Sequence, residues 1–107
     1  MSKKYNILLV CAGGMSTSLL VTKMKQAAEE QRIEVKIQAM AEVTAKKYIF
    51  EEKVDLVMLG PQIRFEKASF EEKLKNMSTK LAIIDMADYG SMDGEKVLNT
   101  AVNLLEA

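Results

Sequence analysis

The chain has one cysteine, Cys11, and what surrounds it is suited to holding an anion. Residues 7–20 read ILLVCAGGMSTSLL. The aliphatic run Ile7, Leu8, Leu9, Val10 stops at Cys11. Gly13 and Gly14 follow, then Ser16, Thr17 and Ser18, where a helical pattern begins. A strand, a tight loop and a helix in that order aim several backbone N–H groups into one concavity, and the helix N-terminus adds partial positive charge. A thiol at that place is biased toward thiolate, the nucleophilic form. No lysine or histidine flanks Cys11 closely, so the expected depression of its pKa below the free value of about 8.5 is modest.

Composition narrows the chemistry further. There is no histidine, which removes the commonest metal ligand, the commonest general base and any Cys–His dyad. Covalent chemistry therefore falls to Cys11, and neither a metal nor a cofactor is called for. A lone cysteine in a strand is ordinarily a small buried hydrophobe. The glycines and hydroxyls behind this one turn the balance, because a core cysteine needs no anion-shaped loop after it. Fifteen basic residues cancel fifteen acidic ones, which argues against a nucleic-acid or membrane-surface binder. No apolar run approaches the roughly 20 residues needed to span a bilayer, and MSKKYN is too short to serve as a signal peptide. A single cysteine makes no internal disulfide, so a reducing cytoplasm is the expected location.

The elements that would position Cys11 follow from periodicity. At 107 residues, half of them apolar, residues 1–107 are expected to form a single domain with its own core. Residues 5–10 and 55–59 (DLVML) are solidly apolar, as strands buried on both faces are. Residues 34–40 (EVKIQAM) alternate, as an edge strand does. Residues 80–84 (KLAII) form the last strand. Helical spacing covers Ser16 to about Arg32, residues 42–52, 65–77 and 93–105, while Asp85 to Gly90 is expected to be a loop. Pro61 ends the third strand. The order βαβαβαβα implies a four-stranded parallel α/β sheet with helices on both faces. Placing the two most apolar strands at the centre gives order 2-1-3-4. In that order the winding reverses between strands one and three, and ligands bind beyond the strand C-termini at such a switch point. Cys11, Gly60-Pro61-Gln62 and Asp85 to Gly90 would then meet on one edge.

Known site patterns exclude much. The loop lacks the Lys of a Walker sequence, the dinucleotide fingerprint is absent, and Gly14 stands where a C-x-x-C pair needs its second cysteine. The nearest enzymatic pattern is C-x5-R, the phosphate loop of cysteine phosphatases and of a class of arsenate reductases. Thr17 occupies the arginine position here, so the amides can cradle a phosphoryl group without the guanidinium clamp.

Three stretches carry a more specific resemblance: ILLVCAGGMSTSLLV, VMLGPQIRF and DYG-x-x-DG-x-x-VL. Together they resemble the cytoplasmic enzyme IIB of the bacterial sugar phosphotransferase system, in its lactose and cellobiose/chitobiose family, over nearly the whole chain. The resemblance implies a four-stranded parallel sheet. It implies that Cys11 takes a phosphoryl group from a phosphohistidine of enzyme IIA and gives it to a β-linked disaccharide held by the membrane enzyme IIC. The phosphate cradle would be Ala12, Gly13, Gly14, Met15, Ser16 and Thr17. Gln62 and Tyr89 match motif positions beside the site.

Thiolate attack on phosphohistidine needs no separate acid, and omitting the arginine slows loss of the phosphoryl group to water. A monomer suffices for this role. Docking onto the site would use Met15, Ile63, Met86 and Met92, the apolar residues expected to be exposed on that edge, with Arg64 as a charged neighbour. Asp85 and Asp88 lie on the same edge and are expected to shape their loop. A phosphatase or reductase, and a non-catalytic domain with an incidental cysteine, are the alternatives. The missing arginine discriminates the first, and Cys11 left unmodified by phosphorylated enzyme IIA would mark the second.

Overall fold

The computed structural model describes residues 4–13 and 16–107; Gly14, Met15 and the Ser16 side chain lie outside that description. The strands are β1 (Tyr5–Cys11), β2 (Val35–Ala41), β3 (Leu56–Leu59) and β4 (Lys80–Ile83). The helices are α1 (Ser16–Gln31), α2 (Glu42–Glu51), α3 (Lys67–Leu74), α4 (Met86–Gly90) and α5 (Gly94–Glu106). A 3-10 segment, Pro61–Glu66, runs between β3 and α3. The sheet has the order β2-β1-β3-β4 and every pairing is parallel.

β1 organises the packing. Ile7, Leu8, Leu9 and Val10 are all fully buried, and their side chains alternate between two separate cores. Ile7 and Leu9 face Leu20, Met24 and Ala27 of α1 together with Val97, Leu98 and Ala101 of α5. Leu8 and Val10 face Ala45 and Ile49 of α2, Phe70 and Leu74 of α3, and Ile63. A strand covered on both sides needs no polar face, which is why the run is continuously aliphatic. Burying each such side chain stabilises the fold by about 1.5–3 kcal/mol, so β1 contributes heavily to holding the cysteine's position.

The alternating strand β2 pairs only with β1, in a register that sets Tyr5 beside Val35 and Cys11 beside Ala41. The other edge, β4, is half open, with Lys80 and Ile83 exposed. At the amino-terminal end of the sheet the Asp55 carboxylate accepts from the Asn6 backbone N–H at 2.8 Å, closing the turn into β3.

Three local expectations are corrected. Residues 85–90 are not a loop: Asp85 caps a helical turn, its Oδ1 accepting from the N–H of Ala87 at 2.9 Å and of Asp88 at 3.2 Å. The short polar side chain before Met86 satisfies the orphan amides that begin a helix. The predicted helix 65–77 is shorter, Lys67–Leu74, because Pro61 starts a tighter 3-10 turn that carries the chain through residue 66. Third, Ile63 is buried and Met92 is partly buried against the α1–α5 core, so neither is an open docking residue.

Candidate functional site

The C-terminal ends of β1 and β3 bring the site together. Cys11 is the last residue of β1, and it is 4 % exposed. Ala12 and Gly13 beyond it are exposed, and α1 begins at Ser16. The Cys11 side chain is therefore buried at the point where the chain emerges into exposed residues. Thr17 is the one fully buried polar side chain among the described residues of the core. Its hydroxyl Oγ1 donates to the Cys11 Sγ at 3.3 Å. The residue that replaces the phosphatase arginine thus addresses the sulfur itself. Of the remaining predicted cradle residues, the backbone of Ala12 and Gly13 is placed on the exposed edge, while Gly14, Met15 and the Ser16 side chain lie outside the described residues.

β3 delivers the second stretch. The Gly60 N–H donates to the Val10 carbonyl at 2.8 Å, so the chain leaves β3 directly beside β1. A methyl group at Gly60 would lie 3.4 Å from the Gln62 Oε1 and 3.8 Å from the Cys11 Cβ. Gln62 and Cys11 therefore flank the same point, and the Gln62 side chain is exposed. Arg64 is exposed and turned back, its Nη1 donating to the Pro61 carbonyl at 3.4 Å.

Tyr89 comes from the third stretch but does a different job from its neighbours. It is buried within the α1–α5 core, and it also forms one wall of a groove of about 160 Å3 lined by Pro61, Gln62, Arg64, Met86 and Gly90. This groove joins the turns after β3 and β4. Two wider clefts, of about 470 and 500 Å3, open along α1, and Cys11, Thr17 and Gln62 line neither. Asp88 forms an ion pair with Lys96 at 3.8 Å, and Asp93 caps α5 by accepting from the Lys96 N–H at 3.1 Å. Asp85 and Asp93 each cap a helix, and Asp88, expected to shape a loop, lies inside the helical turn α4. Among the described residues no group of histidine, cysteine and acidic side chains could hold a metal ion.

Sequence reasoning missed Phe65, which is 72 % exposed at the end of the 3-10 segment. Its place in a predicted helix concealed it; the kink at Ile63 turns Ile63 inward and Phe65 outward. The neighbouring Glu66 accepts from the Lys46 Nζ at 2.8 Å, tying the segment to α2. That ammonium group holds the Glu66 carboxyl below its usual pKa of 4.5, against some opposing desolvation.

Residues 6–100 match the family described as PTS system, lactose/cellobiose specific IIB subunit. The chain belongs to that IIB family. It is 40% identical over 99 residues to the PTS system oligo-beta-mannoside-specific EIIB component of Bacillus subtilis, covering 92% of this chain and 94% of that one. The solution structure of the cellobiose-specific phosphotransferase IIB component from Borrelia burgdorferi superposes with a TM-score of 0.78 at 41% identity, covering 97% of this chain and 94% of that one. A PTS system lactose-specific EIICB component of Staphylococcus epidermidis is 31% identical over 91% of this chain, which spans 17% of that protein. Membership makes this IIB chain a phosphotransferase component for sugars. Among its described residues no helix is long and apolar enough to cross a membrane.

Proposed function

We propose that this IIB chain relays a phosphoryl group through Cys11. The thiolate attacks the phosphorus of a phosphohistidine on enzyme IIA; the S–P bond forms, the N–P bond breaks, and the electron pair returns to the imidazole. The phosphocysteine then gives its phosphoryl group to a hydroxyl of a β-linked disaccharide held by enzyme IIC. The S–P bond breaks with its electron pair on sulfur, and the sugar proton passes to solvent or a base of the partner. The amides from Ala12 to Thr17 cradle the group, Gln62 and Tyr89 border it, and the chain acts as a monomer in the cytoplasm.

The observation that carries this reading is the place of Cys11. It ends the central strand β1, at the point where the sheet order reverses between β1 and β3, with the start of α1 behind it. Ligands bind at that point in open parallel sheets, and helix N-termini favour phosphoryl oxygens. The IIC partnership is supported by the Staphylococcus epidermidis relative, whose name joins IIC and B in one chain. The exposed Ala12 and Gly13 beside Cys11 suit approach by two successive protein partners.

The test is phosphorylation with a phosphorylated enzyme IIA of the same family. Intact-protein and peptide mass spectrometry should find one phosphoryl group, on Cys11 alone. Equal phosphorylation of Cys11→Ser would overturn the reading.

A further inference from the structure

We infer that Thr17 is a positioning residue whose hydroxyl addresses the sulfur and is not a ligand of the phosphoryl group, an inference that rests on the relay reading for its second measurement only. Thr17 is fully buried at the second residue of α1, and its Oγ1 lies 3.3 Å from the Cys11 Sγ. A hydroxyl hidden from water must find a partner inside the protein, and here that partner is the reactive atom. Donation to a thiolate is a charge-assisted hydrogen bond; donation to the sulfur of a phosphocysteine is weak, because that sulfur carries no charge. Thr17 therefore favours one chemical state of Cys11 over the other.

The consequence concerns both transfers. When sulfur leaves phosphorus it departs as thiolate, and the Thr17 hydroxyl stabilises that leaving group. The same hydrogen bond lowers the energy of the free thiolate, so it draws the phosphorylation equilibrium away from phosphocysteine. A carrier must not hold its cargo too well, and a buried hydroxyl aimed at sulfur tunes the release. This also gives the arginine position a positive role: an arginine would bind the phosphoryl group, whereas threonine binds the atom it leaves.

Thr17→Val keeps the branched shape and removes the hydroxyl; Thr17→Ser keeps the hydroxyl. The pH dependence of Cys11 alkylation, measured without any partner, should move upward by about one pH unit in Thr17→Val, the ~1.4 kcal/mol of that change, and stay near wild type in Thr17→Ser. If Thr17→Val fails to fold, Thr17→Ala removes the same hydroxyl and should show the same rise. At a pH above both midpoints, the equilibrium with phosphorylated enzyme IIA should shift about tenfold toward phosphocysteine in Thr17→Val. An unchanged alkylation midpoint, or an equilibrium shifted toward the free thiolate, would show that Thr17 serves the phosphoryl group and would overturn the inference. A wild-type protein that takes no phosphoryl group would instead sink the relay reading, and the alkylation series would still decide the role of Thr17.

Discussion

Gly94 lies against the backbone of Lys23. A Cβ at Gly94 would sit 2.5 Å from the Lys23 carbonyl carbon and 2.7 Å from the Met24 nitrogen. The first residue of α5 thus touches the main chain of α1, the helix whose N-terminus follows the Cys11 loop. Replacing glycine by alanine inside a helix is ordinarily favourable by up to about 1 kcal/mol. At this position the sign reverses, because the obstructing atoms are backbone. Gly94→Ala should lose about 1–3 kcal/mol in urea denaturation; a variant as stable as wild type would mean that α1 and α5 separate freely.

Two residues of the same edge should behave oppositely. Ile63 is buried among Leu8, Val10 and Phe70, whereas Met86 is 63 % exposed. Ile63→Ala should cost about 2–5 kcal/mol of stability. Met86→Ala should stay within about 0.5 kcal/mol, as surface substitutions do, and should weaken enzyme IIA binding measured by titration calorimetry. Phe65→Ala should resemble Met86→Ala. A stable Ile63→Ala protein would contradict the inward placement of that side chain.

The absence of an arginine six residues after Cys11 predicts what the protein does not catalyse. Cysteine phosphatases stabilise the transferring group with that guanidinium and protonate the leaving group with an acid. Here Thr17 is buried on the sulfur, Asp85 caps α4 and Asp88 pairs with Lys96. Wild type should hydrolyse p-nitrophenyl phosphate no faster than Cys11→Ala. Cysteine-dependent turnover would return the site to the phosphatase class.

The Lys46–Glu66 pair gives a pH dependence with a definite sign. The ammonium holds the folded-state pKa of Glu66 below 4.5, chiefly through their hydrogen bond. Its stabilising effect is therefore complete above pH 4.5 and is lost as pH falls through the lower folded value. Lys46→Met should raise the Glu66 midpoint seen by carboxyl NMR, and its stability deficit at pH 7 should shrink toward zero in acid. A deficit independent of pH would assign Lys46 a packing role, over the Phe70 ring 5.8 Å away.

The sequence alone determined the sheet order and the place of Cys11. Those properties follow from local composition: Leu56 to Leu59 and Ile7 to Val10 are too apolar to lie at an edge, and a cysteine ending such a run before two glycines has one place to be. That the Gly60-Pro61-Gln62 turn meets the end of β1 was legible in the same way, because Pro61 fixes where β3 must stop. The tertiary structure decided which way side chains point where the period breaks. Ile63 and Phe65 are equally apolar and two residues apart, yet one is buried and the other open, since the 3-10 segment turns them differently than an α-helix would. Met92 adopts a positive φ of 53° that swings it toward the core. Asp85 became a cap once α4 existed to need one. The aim of the Thr17 hydroxyl also depends on tertiary structure: it requires α1 to pack onto β1, where Leu20 and Met24 share a core with Ile7 and Leu9. Periodicity specifies which face is apolar, whereas the distance between a hydroxyl and a sulfur is fixed by how two separate elements pack.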